Sequence, residues 1–318
     1  PLSFQEGYDN SGLQVGSPER EVSSALICLD VTDEVLNEAG YAGCDVIISH
    51  HPLIFTAIKQ LTGRTPSERL LLKAVKQDVA IYSAHTNLDV VENGVSSRMA
   101  DKLGLVNRRV LVPLKDRLMK LVTFVPEAHI GKVREALFSA GAGVIGKYDR
   151  CSFASPGTGG FRAGDGTSPF TGEKDKDHFE KEIRLETILF SHLKGKVIRA
   201  LMESHPYEEP AYDLYPLENE NIAAGLGCVG DMKEALDGKA FLSMLRDTFG
   251  SGGIRHSAIP DRKIKKVALC GGAGGSLTGD AISSGADAYV TGDIRYHTFL
   301  EADGRILLAD MGHYESEK

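Results

Sequence analysis

The sequence predicts an α/β protein: a doubly wound, mainly parallel sheet built from two βαβαβ halves, with an α+β domain inserted between them. Three observations carry this. Short apolar, β-branched runs alternate with helical segments in the first part of the chain, and the same rhythm returns in the last part. Between them the rhythm changes to an alternating, strand-rich pattern. The length of 318 residues suits about two domains at roughly 100–200 residues each. The expected division is residues 1–112 and 226–318 for the two halves of the α/β domain, and 113–225 for the insertion.

In the first half, Val22–Asp30 (VSSALICLD) reads as a strand, and Thr32 as the N-cap of a helix over Asp33–Gly40. Asp45–Ser49 is the next strand. Pro66–Asp78 has apolar residues at helical spacing, with Pro in the first turn. Val79–Ala84 is a third strand, and Asn93–Gly104 a helix ending at Gly. The last part repeats the order. Lys265–Cys270 is a strand, followed by GGAGGS and a helix to about Gly285. Asp287–Val290 is a strand, Thr298–Ala302 a short helix and Arg305–Asp310 a strand. Buried parallel strands read as continuous apolar runs of this kind. In the middle, Leu118–Val125 is a strand and Glu127–Ala140 a helix. Extended stretches follow around Arg150–Arg162 and Lys181–Phe190, then a helix over His192–Glu203 and a strand over Ala211–Leu217. That order, βαββαβ, is ferredoxin-like. Gly157–Gly172 reads as a hairpin or long loop, and GEKDKDHFEKE as a solvated charged segment.

Composition narrows the function. Hydrophobic residues are 42% and charged residues 25%, ordinary for a folded soluble domain. Lys and Arg number 36 against 44 Asp and Glu, a net charge of −8. That balance disfavours nucleic-acid binding as the main role and leaves room for a small anionic or nucleotide substrate in a local metal-bearing pocket. Five scattered Cys (28, 44, 151, 228 and 270) form no CxxC pair, which argues against a disulfide framework or thiolate zinc site and fits a reducing cytoplasm. No apolar run approaches the roughly 20 residues of a membrane span, and no secretory leader pattern is visible.

Chemistry is sought at strand ends, where open α/β sheets bind ligands. SHHP places His50 and His51 directly after the strand DVIIS, and Pro52 biases His51 to an extended backbone. Alone the dyad fits a metal site or two ordinary hydrogen-bonded histidines. HTNLD, with His85 and Asp89, follows VAIYSA; alone it reads as a turn. GHYESE follows RILLAD, and its helical spacing puts His313 and Glu317 on one face. Together these signals offer His50, His51, Asp89, His313 and Glu317. Five N/O donors exceed the four of a closed tetrahedral zinc site. Shared between two divalent ions, they leave positions open to water. Without thiolates, the set suits Zn, and after it Fe, Mn or Co. TGDIRYH, with Asp293 and His297, could support the site or exchange protons, as could His85. GGAGGS lacks both the GxGxxG order and a GK[ST] ending, so it reads as a tight strand–helix turn rather than a nucleotide loop. HPYEEP (His205, Glu208, Glu209) lies in the insertion, and a metal role there is disfavoured. No GxSxG elbow is present.

The blocks DNSGLQVG (Asp9–Gly16), SHHP, HTNLD, TGDIRYH and GHYESE together resemble the NGG-one-interacting-factor-three-like family, also known as GTP cyclohydrolase I type 2 homologues. The middle segment, with HPYEEPAYDLYPL, resembles the PII/CutA-like domain inserted in the longer bacterial members. The resemblance implies a dinuclear metal site at His50, His51, Asp89, His313 and Glu317, and a homo-oligomer, a hexameric ring with the sites facing inward. Two readings follow. One is a metal-dependent hydrolase that attacks an electrophilic carbon, such as C8 of GTP, with His297, Asp293 or His85 moving protons. The other is a non-catalytic ring, a metal store or chaperone, or one whose insertion senses a ligand.

Overall fold

A computed structural model describes residues 1–115, 118–219 and 221–318. It divides into two compact units: Pro1–Pro113 with Ala223–Lys318, and Leu114–Ile222. The class is α/β in the first unit, whose two sheets each combine parallel and antiparallel pairs, and α+β in the second. Among the described residues no helix is long and apolar enough to cross a membrane.

The first unit opens on β1 (Gly12–Val15), β2 (Ala25–Cys28), α1 (Asp33–Ala42), β3 (Val46–Ser49), α2 (Pro66–Gln77) and β4 (Ala80–Ser83). Thr32 caps α1 by accepting from the Val35 amide at 3.3 Å. Thr65 caps α2 through the Glu68 amide, and the Glu68 carboxylate accepts the Thr62 and Arg64 amides in return. β2, β3 and β4 pair in parallel, and β1 lies antiparallel on the outer edge of β4. Helices α1 and α2 bury Leu36, Ala39 and Ala74 against Ile47 and Ile81.

After β4 come α3 (Thr86–Asp89), α4 (Val95–Lys102) and β5 (Val106–Leu114). In the insertion follow β6 (Leu118–Pro126), α5 (Ile130–Ser139), β7 (Ser152–Arg162), β8 (Asp177–Phe190), α6 (Lys194–Ser204) and β9 (Tyr212–Leu217). Their sheet order is β7-β8-β6-β9 with every pair antiparallel, the ferredoxin-like arrangement. α5 and α6 cover one face through Val133, Leu137, Val197 and Leu201. Of the two readings of the glycine-rich stretch, the hairpin holds: β7 runs through the glycines to Arg162 and pairs antiparallel with β8, which starts inside the charged run at Asp177.

The chain returns with β10 (Asn221–Leu236), α7 (Gly238–Phe249), β11 (Arg255–His256), β12 (Ile264–Leu269), α8 (Thr278–Ser283), β13 (Ala288–Thr291), α9 (Tyr296–Glu301), β14 (Leu307–Asp310) and α10 (His313–Glu317). These build a second sheet, ordered β11-β14-β13-β12-β10-β5. The expected single sheet is therefore two, and β5 from the first half joins the second of them. Both use one plan, three parallel strands in sequence order with an antiparallel strand beside the third. The second sheet is buried on both faces. Val267, Leu269, Val290 and Leu307 face α4 and α7, whereas Ala268, Tyr289 and Leu308 face the α8–α9 side, following the two-residue period of a strand. Phe241 of α7 is fully buried in the first of these layers. Phe241→Ala should lower unfolding free energy by about 3–5 kcal/mol; a denaturant midpoint within error of wild type would show that the layer is not under load.

Candidate metal centre

The carboxyl ends of the parallel strands of both sheets supply the site. Beyond β3, the amides of His50 and His51 continue the ladder to the carbonyls of Cys28 and Leu29. His50 Nδ1 donates to the Ala84 carbonyl just past β4, at 2.8 Å. A carbonyl only accepts, so the proton sits on Nδ1 and the lone pair on Nε2. His51 Nδ1 meets Asp30 Oδ1, just past β2, at 2.8 Å. His85 stands at the start of α3, and its Nδ1 meets Asp9 Oδ1 at 2.7 Å. His313 opens α10, and its Nδ1 meets Asp293 Oδ2, just past β13, at 2.8 Å. Each ring is thus held by an acceptor at Nδ1, which fixes its orientation and leaves Nε2 for a ligand.

The free ends converge. His51 Nε2 and His313 Nε2 are 3.2 Å apart, although 262 positions separate them in the chain. Glu317 Oε2 lies 3.1 Å from each, and Glu317 Oε1 lies 3.5 Å from His50 Nε2. Asp89 closes the set, with Oδ1 3.7 Å from His50 Nε2. HTNLD is one turn of helix rather than an open turn, and this aims Asp89 back at the cluster. Two groups of donors could each hold an ion: His50, His51 and His85, and His51, His313 and Glu317, with donor atoms within 4.8 Å of one another in each.

Residues present in this pattern fit a metal. His50 Nε2, Asp89 Oδ1 and Glu317 Oε2 are buried with no hydrogen-bond partner. Buried polar atoms left without partners are costly and uncommon. The facing Nε2 atoms of His51 and His313 are both lone-pair bearers when Nδ1 holds the proton, so no hydrogen bond joins two neutral rings. A cation between them removes both problems.

Electrostatics point the same way. Burial pushes the Asp89 carboxyl up to about 7, with the neighbouring Glu317 charge adding to the shift against the opposing pull of His50. Burial also opposes ionisation of Glu317, but the imidazoles of His313, His50 and His51 outweigh it and hold this carboxyl well below the usual range. Glu317 in turn raises His313 to about 9. For His85, desolvation outweighs Asp9 and lowers the imidazole. Without a cation, then, protons on the rings neutralise the central carboxylate.

A family model described as Duf34/NIF3 (NGG1p interacting factor 3) matches residues 1–318. The chain belongs to the Duf34/NIF3 family. Among its Duf34/NIF3 relatives, a protein of Halalkalibacterium halodurans named GTP cyclohydrolase 1 type 2 homolog is 42% identical over 316 residues, spanning 98% of this chain and 85% of the relative. A Bacillus subtilis protein of the same name is 40% identical over 316 residues, spanning 99% and 85%. The solved structure of a Bacillus cereus protein related to NIF3 superposes with a TM-score of 0.86 at 40% identity, covering 99% of this chain and 85% of that one.

Within this Duf34/NIF3 chain, the remaining motifs sort by place. GGAGGS is a strand–helix turn that supports α10: the Gly272 amide donates to Ser316 Oγ at 2.9 Å. Gly272 has a φ of +63°, and a Cβ there would come 2.4 Å from Glu317 Oε1. Asp293 lies at the cluster through His313. His297 sits on α9 with its ring against Tyr296, exposed and outside both donor groups. His205 uses both ring nitrogens, on the Phe124 carbonyl and the Tyr207 amide, and Glu208 accepts the Ser168 amide. That is a structural role. Sequence reasoning did not find the tethers Asp9 and Asp30. Asp30 ends the strand run VSSALICLD, a position that could have flagged it; no spacing signal ties Asp9 to His85.

Proposed function

We propose that this chain holds two divalent ions at His50, His51, Asp89, His313 and Glu317, and is a metal-dependent hydrolase of a small anionic substrate. The observation that carries the reading is the meeting of strand-end imidazoles from both sheets around Glu317, each tethered at Nδ1. His85, facing His50 and His51, joins the donors or exchanges protons beside them. Zn suits this nitrogen–oxygen set first, with Fe, Mn or Co next. The buried Cys270 thiol, pushed up to about 12 by desolvation, adds no thiolate.

Divalent ions held there would supply Lewis acidity and make water a stronger acid at neutral pH. The protein's own groups do the rest. Asp30, Asp293 and Asp9 lock three rings and keep the proton on Nδ1. Asp293, whose side chain is 60% exposed, links His313 to solvent as a proton path. His297 stands further out on α9 as a second exchanger. A cavity of about 240 Å³ lies against Glu317 and is edged by Arg98 and Lys102, cations suited to a phosphate. Relatives carry a GTP cyclohydrolase name, so GTP, with water attacking C8, is the first substrate to test. Hydrolysis of GTP and other nucleotides is compared between metal-loaded wild type and His50→Ala. Equal rates would reject the hydrolase. Bound metal without turnover across the panel would move the reading to a metal store or chaperone. Anomalous scattering from protein purified without chelator counts the ions; one ion or none would reject the pair.

Asp30 offers a finer test. Its side chain is 59% exposed, so Asp30→Asn should weaken metal affinity toward the lower end of the roughly 10–100-fold cost of losing a ligand's supporting partner. Competition with a chromophoric chelator measures it, and unchanged affinity removes Asp30 from the role.

The assembly we propose is a closed ring of six with the metal centres facing inward. Support comes from large apolar side chains left in solvent on the first unit, among them Ile27 at 79% and Tyr41 at 97% exposure. Light scattering that finds a monomer would overturn it. Five free cysteines suit a reducing cytoplasm.

A further inference from the structure

The inserted unit has a cavity of its own, of about 550 Å³, within the roughly 300–1,000 Å³ range of small-molecule sites. All of its lining residues belong to that unit. One wall is the glycine-bearing stretch of β7. At Gly159 a Cβ would come 2.0 Å from Glu182 Oε2, so the bare backbone there makes room for the carboxylate of β8. Glu182 is only 8% exposed. Its Oε1 accepts from the Tyr207 hydroxyl at 2.8 Å, a neutral partner.

Aromatic rings line the same cavity. Tyr207 lies 6.1 Å from Phe161 and 6.2 Å from Phe170, centroid to centroid. Phe170 is 55% exposed, although it lines the cavity. Two arginines also border the space, but both are matched. Arg162 pairs with Asp177 and Arg184 with Glu186, each at 2.8 Å, and their side chains are 62% and 46% exposed. Among the described residues, the buried carboxylate inside is therefore the one with no cation against it, and the aromatic rings that line the same space have electron-rich faces. A buried carboxylate next to aromatic faces is complementary to a cation with an apolar body.

We propose that this cavity binds a small organic ammonium ion, its charged nitrogen against Glu182 and its hydrocarbon against Phe161, Phe170 and Tyr207. The site is independent of the metal centre, because it shares no residue with it. Calorimetric titration of the full chain with phenethylammonium, 2-phenylethanol and 3-phenylpropionate separates charge from shape. The amine should bind at least about 10-fold more tightly than the alcohol, the anion more weakly than either. Glu182→Gln, which keeps the shape and an acceptor for Tyr207, should erase the preference for the amine. Should that variant fail to fold, Phe161→Leu should weaken the amine at least about 3-fold by removing a ring face. Alcohol or propionate binding as tightly as the amine, full amine affinity in Glu182→Gln, or no amine binding at millimolar concentration would each overturn the proposal.

Discussion

Glu317→Ala should release most of the bound divalent metal, lowering affinity by more than about 100-fold, beyond the range for losing a mere supporting group. The size of the effect follows from position. Glu317 Oε2 is 3.1 Å from both His51 and His313, and Oε1 is 3.5 Å from His50, so one carboxylate faces donors from both sheets. Without it, the His51 and His313 nitrogens stand 3.2 Å apart with no anion between them. Equilibrium dialysis against Zn, and melting of the metal-free variant to confirm its fold, would measure this. Glu317→Gln keeps the volume and removes only the charge, so it separates ligation from packing. Full affinity in both variants would remove Glu317 from the donor set.

Chelation should lower the melting temperature, and more so in alkali. At free metal about 1,000-fold above the dissociation constant, binding adds about 4 kcal/mol to the native state, which corresponds to roughly 8–16 °C for a domain of 150–250 residues. The pH dependence comes from the rings. In the metal-free protein His313 is raised to about 9, chiefly by Glu317 with Asp293 assisting and burial opposing. A group raised in the folded state stabilises fully below its unfolded value, near 6.5, and loses that contribution as pH rises through its folded value. Metal-free protein should therefore weaken between about pH 6.5 and 9. The loaded protein lacks this loss, because the cation rather than a proton balances Glu317. Differential scanning calorimetry at both pH values, with and without chelator, tests it. Equal drops at pH 6.5 and pH 9 would show that protons do not stand in for the ion.

The parallel strands were legible because burial on both faces demands continuous apolar runs, as in KKVALC and RILLAD. α1 was legible because Thr32 caps it just before an apolar period, and α2 because Pro66 opens apolar residues at helical spacing. Other elements escaped for physical reasons. β1 is short and mixed in polarity, and β10 carries its pairing through GLGCVGD, where glycine erases the β-branched signal. α7 follows that strand and went unread despite Asp237 at its N-cap. In HTNLD the turn-forming residues masked a single helical turn. The i, i+4 spacing of His313 and Glu317 foretold their shared face, because helix geometry is local. Of the carboxylates behind the rings, Asp293 was legible in TGDIRYH, whereas Asp9 and Asp30 were hidden because they reach His85 and His51 only after separate segments have packed.

The 262 positions between the paired nitrogens also set an order of events during synthesis. A nascent chain with only its first half exposed holds His50, His51, His85 and Asp89, but lacks the carboxylate that gathers them. The donor set is complete only once α10, which carries His313 and Glu317, has left the ribosome and docked. A polypeptide stopped short of Glu317 is left unable to close the clasp.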